Sequence, residues 1–303
     1  MKPARTEQRN PSSRGLDRKS TLEILRALNR EDARVALAVR RELPQIARAV
    51  DAIVKALSSG GRLFYVGAGT SGRLAVLDAA ECPPTFGTPP KMVQAIIAGG
   101  AGALRHASEG AEDSAAGGAR DLRRAGLTAK DVVVGLAASG TTPYVLGALA
   151  FAKRRGAVTV GVTANPRSPL ARRARVAIAP DTGPEAISGS TRLKAGTAQK
   201  LVLNLLSTAA MVRLGRVYEN WMVHVALTNQ KLRRRGVRIL QEAAGVSAST
   251  AEHAVRQAGI DLAAALVMLK TGAGARDARR LLDQTGGHVR KAMDAASGRR
   301  GKK

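Results

Sequence analysis

Two glutamates and three hydroxyl-rich loops are the residues of this chain whose types and spacing could do chemistry. Glu81 stands before Cys82-Pro83-Pro84, and the paired prolines restrict the backbone and set where its carboxylate points. Glu112 lies in Ser108-Glu109-Gly110-Ala111-Glu112-Asp113, at the start of an expected helix, where an acid is either a dipole partner or a reacting group. Two carboxylates can divide general-acid and general-base work. One of them then needs its pKa raised from about 4.3 by an apolar or acidic setting. His106, His224, His253 and His288 are scattered without metal-ligand spacing. Cys82 has no partnered histidine pattern and reads as a packing residue.

The first loop, Gly67-Ala68-Gly69-Thr70-Ser71-Gly72, follows an apolar run and opens a helix. Unpaired loop and first-turn N–H groups there make an anion pocket. The pattern also matches G-x-G-x-x-G, but a dinucleotide needs an acid at the end of the next strand. That strand ends Ile97-Ala98-Gly99-Gly100, without one. The second loop, Ser139-Gly140-Thr141-Thr142, repeats the arrangement after a buried strand; alone it could be an ordinary helix cap. Two such loops on one sheet point to a phosphosugar pocket holding Gly69, Thr70, Ser71, Ser139, Gly140, Thr141 and Thr142. A third polar loop, 183–191, adds Glu185 and Ser190. Lys194 follows it, with Arg192 and Lys200 nearby, as cations that meet an anion or remain surface charges.

The elements that must position these residues alternate. Strands are expected at 62–66, 92–97, 131–136, 157–163 and 176–179, and helices at 73–80, 111–125, 144–155 and 193–214. Upstream, 21–28 and 32–57 have apolar residues at helical spacing, and residues 1–20 read as extended; further helix is expected at 222–244. The fold class is α/β: a doubly wound parallel five-stranded sheet with a small C-terminal helical domain. Residues 246–296 repeat at a shift of 27 positions, which sets Ala251, Gly259 and Leu262 over Ala278, Gly286 and Val289. The expected division is a sugar-phosphate-binding domain over 1–235 and a helical domain with a basic tail over 236–303.

The composition of 303 residues is 45% hydrophobic and only 2% aromatic, so the core is built from Ala, Val, Leu and Ile. No apolar run approaches a membrane span of about 20 residues, the N-terminus has no apolar signal region, and one cysteine agrees with a reducing cytoplasm. The formal charge of +26 is spread along the chain, with a single run at Arg299-Arg300-Gly301-Lys302-Lys303 that is expected to be disordered. No reading element or aromatic stacking platform accompanies it, so nucleic acid is not an expected partner.

Several segments resemble the N-acetylmuramic acid 6-phosphate etherase family. They are Gly67-Ala68-Gly69-Thr70-Ser71-Gly72-Arg73, Asp78-Ala79-Ala80-Glu81-Cys82-Pro83-Pro84-Thr85-Phe86-Gly87, Glu109-Gly110-Ala111-Glu112-Asp113, Gly189-Ser190-Thr191-Arg192-Leu193-Lys194-Ala195-Gly196-Thr197 and Thr6-Glu7-Gln8-Arg9-Asn10-Pro11. The resemblance implies a sugar isomerase (SIS) type sheet, a homodimer, no cofactor and no metal. It also implies a cytoplasmic role in recycling cell-wall amino sugars. The implied reaction cleaves the lactyl ether of N-acetylmuramic acid 6-phosphate. By motif match, Glu81 is the acid on the leaving lactate and Glu112 the second catalytic carboxylate, with the division of acid and base open between them. Thr141 stands where an arginine is common, His224 replaces an aspartate and Gln230 a glutamate.

The rival readings are a sugar-phosphate aldose–ketose isomerase on the same scaffold, a non-catalytic sugar-phosphate-binding regulator like the glucokinase regulator, and a DNA-binding regulator. The isomerase is not expected to carry Glu-Cys-Pro-Pro with the second glutamate. The glucokinase regulator has two such domains, and this chain has room for one. The segment before Arg62 lacks an evident helix-turn-helix. If the positive field gathers an anionic substrate, added salt raises KM more than it lowers kcat in a steady-state titration. Equal insensitivity of both constants would count against that role.

Overall fold

The computed structural model describes residues 4–106 and 108–300, in two compact units. The first comprises Met1–Ala80 and Pro90–Ser207. Its centre is a five-stranded parallel sheet, β1 (Leu63–Gly67), β2 (Val93–Ile97), β3 (Val132–Leu136), β4 (Val158–Val162) and β5 (Val176–Ile178), in the order β2-β1-β3-β4-β5. Every residue of β1 and β3 is buried, as continuous apolar runs require when helices cover both faces. Phe64, Val66 and Val133 pack with Leu122, Val145 and Leu149 from α5 (Ala115–Arg124) and α6 (Pro143–Arg154). At the amino ends of the strands, the Arg62 guanidinium meets the buried Asp131 carboxylate at 2.9 Å. The Arg62 N–H donates to the same carboxylate at 2.8 Å, which pins β1 beside β3.

The helices depart from expectation where a donor is missing or a cap intervenes. The helix expected over 32–57 is two, α2 (Val35–Arg41) and α3 (Leu43–Ser58), preceded by α1 (Thr21–Asp32). Pro44 sits in the first turn of α3, where its missing N–H is harmless, but it cannot continue a helix from before. Conversely, α4 starts at Gly69 and runs through Pro83 and Pro84 to Phe86, well past residue 80. The Gly87 N–H closes its last turn on Pro83 O at 2.9 Å. α5 starts at Ala115, later than expected, because Ser114 Oγ caps it by accepting the Gly117 N–H at 3.0 Å. Glu112 therefore lies in the turn ahead of the helix. α5 and α6 touch backbone to backbone: a Cβ on Gly118 would lie 2.0 Å from Tyr144 O, and one on Gly147 2.0 Å from Ala115 O. α7 (Pro169–Arg173) and α8 (Lys194–Arg213) complete the described helices that start in this unit.

Residues Arg5–Glu7, Pro11–Ser13 and Leu16–Arg18 form short 3-10 turns, in contrast to the extended segment expected. Asn10 and Ser12 hold them by donating to the two oxygens of Glu31, each at 2.8 Å. Glu31, 3% exposed, is also paired with the Lys194 ammonium, 2% exposed, at the start of α8.

The second unit comprises Glu81–Pro89 and Thr208–Lys303. Its helices are α9 (Gln230–Ala244), α10 (Ala248–Gln257), α11 (Leu262–Thr271), α12 (Ala275–Gln284) and α13 (Val289–Arg300). α9 begins at Gln230, later than the expected 222, because Asn229 caps it by accepting the Leu232 N–H at 2.9 Å. α12 and α13 start 27 residues after α10 and α11, so the sequence repeat is a repeat of helix pairs. Leu240, Leu266, Val267 and Val289, all 0% exposed, are their shared core. α13 reaches Arg300; Gly301, Lys302 and Lys303 of the basic tail lie outside the described residues. Among the described residues, no helix is long and apolar enough to cross a membrane.

The buried pair makes an acid-stability prediction. Burial pushes the Glu31 carboxyl up, but hydrogen bonds from Lys194, Ser12 and Asn10 outweigh it and hold the pKa at about 2. A carboxylate with a depressed folded pKa adds stability that is full above its unfolded pKa, about 4.3, and lost as pH falls toward 2. The shift corresponds to about 3 kcal/mol. Thermal melts of the wild type should fall steeply between pH 5 and 2. Glu31→Gln should melt lower at pH 7, by about 3–5 kcal/mol for the stranded buried ammonium, and with a shallower acid slope. Parallel curves for the two proteins would show that the pair does not carry this dependence.

Candidate functional site

In a sheet of order 2-1-3-4-5, the chain leaves β1 toward one edge and β3 toward the other. Ligands bind in the crevice this opens beyond the carboxyl ends of the two strands. The first and second loops both stand there, set side by side by the pairing of Gly67 with Leu136. The crevice is thus flanked by the N-termini of α4 and α6, whose first N–H groups and dipoles favour an anion.

The second loop is shaped for close approach. Gly140 is buried at φ +69°, and a Cβ there would lie 2.2 Å from Ser168 Oγ and 2.7 Å from Thr163 Oγ1. Ser139 Oγ accepts from the Thr141 N–H at 3.2 Å and from the Thr141 hydroxyl at 2.9 Å. Thr142 makes no side-chain cap on α6, so the ordinary-cap alternative does not describe this loop. In the first loop, Ser71 is buried and its hydroxyl donates to Gln199 Oε1 of α8 at 2.8 Å. Gly69 opens α4 at φ +51°, and Thr70 lies against Gly196 of α8, whose Cβ would sit 3.5 Å from the Thr70 methyl. The structure therefore brings the first loop against the first turns of α8.

Glu112 belongs to the same end of the sheet. Its carbonyl accepts the Tyr144 N–H at 2.9 Å, two residues beyond Thr142, so the backbone of its turn is fastened to the second loop's helix. The Glu112 side chain is exposed. Glu81, in the second unit, is exposed on α4, and its neighbour Cys82 is buried.

Two charged residues expected to bind substrate have their side chains engaged internally, as Ser71 and Thr141 do. Glu185 is fully buried and accepts from the N–H groups of Lys194 and Ala195 at 3.0 and 2.9 Å, capping α8. Burial pushes its carboxyl up, opposed by those two amides. The Lys194 ammonium lies on Glu31. Ser190 is half-buried in the third loop, where its N–H donates to Ile187 O at 3.0 Å. Sequence reasoning missed Asn165, Gln199 and Glu31. Asn165-Pro166 was the available signal, since Asn-Pro marks a turn. Gln199 and Glu31 sit inside helices and carry no such mark. Among the described residues, no group of three or more His, Cys, Asp or Glu could hold a metal ion. His224 is held down from its usual range by burial and by Arg216, with Nε2 2.9 Å from Gly287 O.

Known proteins bear on the fold and the family. Residues 45–153 match the family model of the glucokinase regulatory protein N-terminal SIS domain, and residues 106–209 that of the SIS domain. A phosphoheptose isomerase from Francisella tularensis superposes with a TM-score of 0.52 at 17% identity, covering 64% of this chain and 100% of that one; this is a likeness of fold. Sheet order, loops and family models define an α/β protein of the SIS class. Two curated N-acetylmuramic acid 6-phosphate etherases, from Yersinia pestis and Yersinia pseudotuberculosis, are each 57% identical over 288 residues, 95% of this chain and 98% of theirs. The chain belongs to the N-acetylmuramic acid 6-phosphate etherase family.

Gly140 offers a direct check of the second loop. A side chain there costs about 1–2 kcal/mol for the left-handed backbone alone, before the clash with Ser168. Gly140→Ala should weaken binding of N-acetylglucosamine 6-phosphate by about tenfold or more in calorimetry. Unchanged affinity in a folded Gly140→Ala protein would remove this loop from the site.

Proposed function

We propose that this protein cleaves the D-lactyl ether of N-acetylmuramic acid 6-phosphate by elimination followed by water addition, giving N-acetylglucosamine 6-phosphate and D-lactate. The observation that carries the reading is the 57% identity spanning 95% of the chain. The three loops bind the phosphosugar, principally through Gly69, Thr70, Ser71, Ser139, Gly140, Thr141, Thr142 and Ser190. With the ring open, the C1 aldehyde acidifies the C2 proton. One carboxylate removes that proton while the other side chain, as the carboxylic acid, protonates the C3 ether oxygen, and lactate leaves with the C3–O bonding pair. The enal then takes water: hydroxide adds at C3, and a proton returns to C2. The electron sink is the substrate's own carbonyl, so carboxylates suffice and no cofactor is required.

Glu81 and Glu112 are our catalytic pair, with Glu81 as acid toward lactate and later base toward water. Both are exposed in the single chain. A homodimer in which the partner copy covers these carboxylates supplies the drier setting an acid needs. We assign the work to the cytoplasm, as the resemblance to cell-wall amino-sugar recycling enzymes implies. Engagement of Lys194 and Glu185 elsewhere supports a phosphate held by neutral donors.

The test is D-lactate release from N-acetylmuramic acid 6-phosphate. The wild type should release lactate, and Glu81→Gln and Glu112→Gln should each lower kcat by about 10²- to 10⁴-fold while still binding N-acetylglucosamine 6-phosphate. A folded wild type that binds the sugar phosphate and releases no lactate would overturn the etherase reading in favour of a regulator.

A further inference from the structure

The N-terminal segment is fastened to two of the three loops at once. The Arg5 N–H donates to Asn165 Oδ1 at 2.9 Å, and the Arg5 guanidinium holds the Asp181 carboxylate at 2.6 Å. Thr6 is 1% exposed, and its carbonyl accepts the Gly189 N–H at 3.1 Å. The Glu7 carbonyl accepts from Ser188 Oγ at 3.1 Å. Gly189 and Ser188 belong to the third loop.

Asn165 carries the other half of the connection. Its Nδ2 donates to the carbonyls of Ala138 and Ser139, each at 3.1 Å, where the second loop leaves β3. Its own N–H donates to Thr163 Oγ1 at 3.2 Å, and that hydroxyl donates to Ala138 O at 3.1 Å. The amide is 7% exposed. Its oxygen faces the N-terminal segment, and its nitrogen faces the second loop and, at 3.4 Å, Thr6 Oγ1. Only Thr6 of residues 5–8 is buried, so apolar burial does not account for the ordering of this segment. Its described polar bonds run mainly to the two loops and to the residues beside them.

We propose that residues 5–8 and Asn165 form a positioning strap that sets the second loop against the third so that both face one sugar phosphate. This rests on the sugar-phosphate reading above. The strap touches no reacting atom; it acts through the backbone of Ala138, Ser139 and Gly189.

The experiment compares full-length protein with three variants: removal of residues 1–8, Asn165→Ala and Asn165→Asp. The truncation leaves Asn10, Ser12, Glu31 and Lys194 in place. Asn165→Asp keeps an acceptor for the Arg5 N–H but turns oxygen toward the Ala138 and Ser139 carbonyls, so it should fail as Asn165→Ala does. Each variant should bind N-acetylglucosamine 6-phosphate about tenfold more weakly, with KM raised alike, kcat within about twofold, and a cooperative melt. Truncation and Asn165→Ala together should cost less than the product of the two, because they break one linkage. Unchanged affinity, or kcat falling in step with affinity, overturns the proposal. If Asn165→Ala does not fold, the truncation alone decides between these outcomes. Because binding is read separately from lactate release, a wild type that binds without turnover fails the etherase reading and leaves the strap to be judged on affinity.

Discussion

The ion pair between Glu31 and Lys194 is the constraint on which the loop end of the first unit depends. Its members are 163 residues apart in sequence and 2–3% exposed. Two charges withdrawn from water this far are favourable only when their remaining hydrogen-bonding capacity is met. Asn10 and Ser12 supply donors to Glu31. Beside the pair, Asn10 also donates to Pro184 O at 3.0 Å, and Glu185 caps the helix that Lys194 begins. One arrangement thereby fixes the start of α8, the third loop and the N-terminal turns. Loss of either charge would strand the other and release all three.

The anion crevice is built on that anchorage. The sheet supplies two helix N-termini at its switch point, but a sheet alone leaves polar loops free to move. Here each loop has a separate tie: Ser71 to Gln199 for the first, Asn165 for the second, Thr6 and Glu7 for the third. None of these ties uses a charged side chain. In the proposed site, the loop N–H groups, the α-helix dipoles and the hydroxyls of Thr70, Ser139 and Thr142 would meet the ligand's charge in a frame already in place, which lowers the ordering cost of binding.

The sheet was legible in the sequence because buried parallel strands are short continuous apolar runs bounded by glycine and polar residues. β1 and β3 are of this kind, and both lead into the loops singled out for chemistry. The 27-residue repeat was legible for a similar reason, since each helix pair turns at a glycine, Gly259 or Gly286. Apolar spacing did not show where helices break. Pro44 divides α2 from α3, whereas Pro83 and Pro84 lie within α4, and only the surrounding hydrogen bonds separate the two cases. Lys194 and Glu185 were read as ligands because a cation and an acid beside a polar loop suit an anion site. Their actual partners, Glu31 and the α8 amides, depend on tertiary contacts that local pattern does not encode.

Those engaged charges bear on how a basic protein handles an anionic sugar. Arg5 is paired with Asp181 and Lys194 with Glu31, so these two cations beside the loops are balanced by acids. If the net +26 gathers anions, it does so as a diffuse field over distances of about a Debye length, roughly 8–10 Å. In the proposed site, short-range selection falls to neutral donors with fixed directions. A neutral cradle discriminates by geometry, which suits a phosphate that must stay put while a carboxylate leaves from the same sugar. It also sets no full counter-charge against a product dianion, as a buried lysine would. For an enzyme that forms two anions from one, division of the work between a distant positive field and a neutral pocket favours both capture and release.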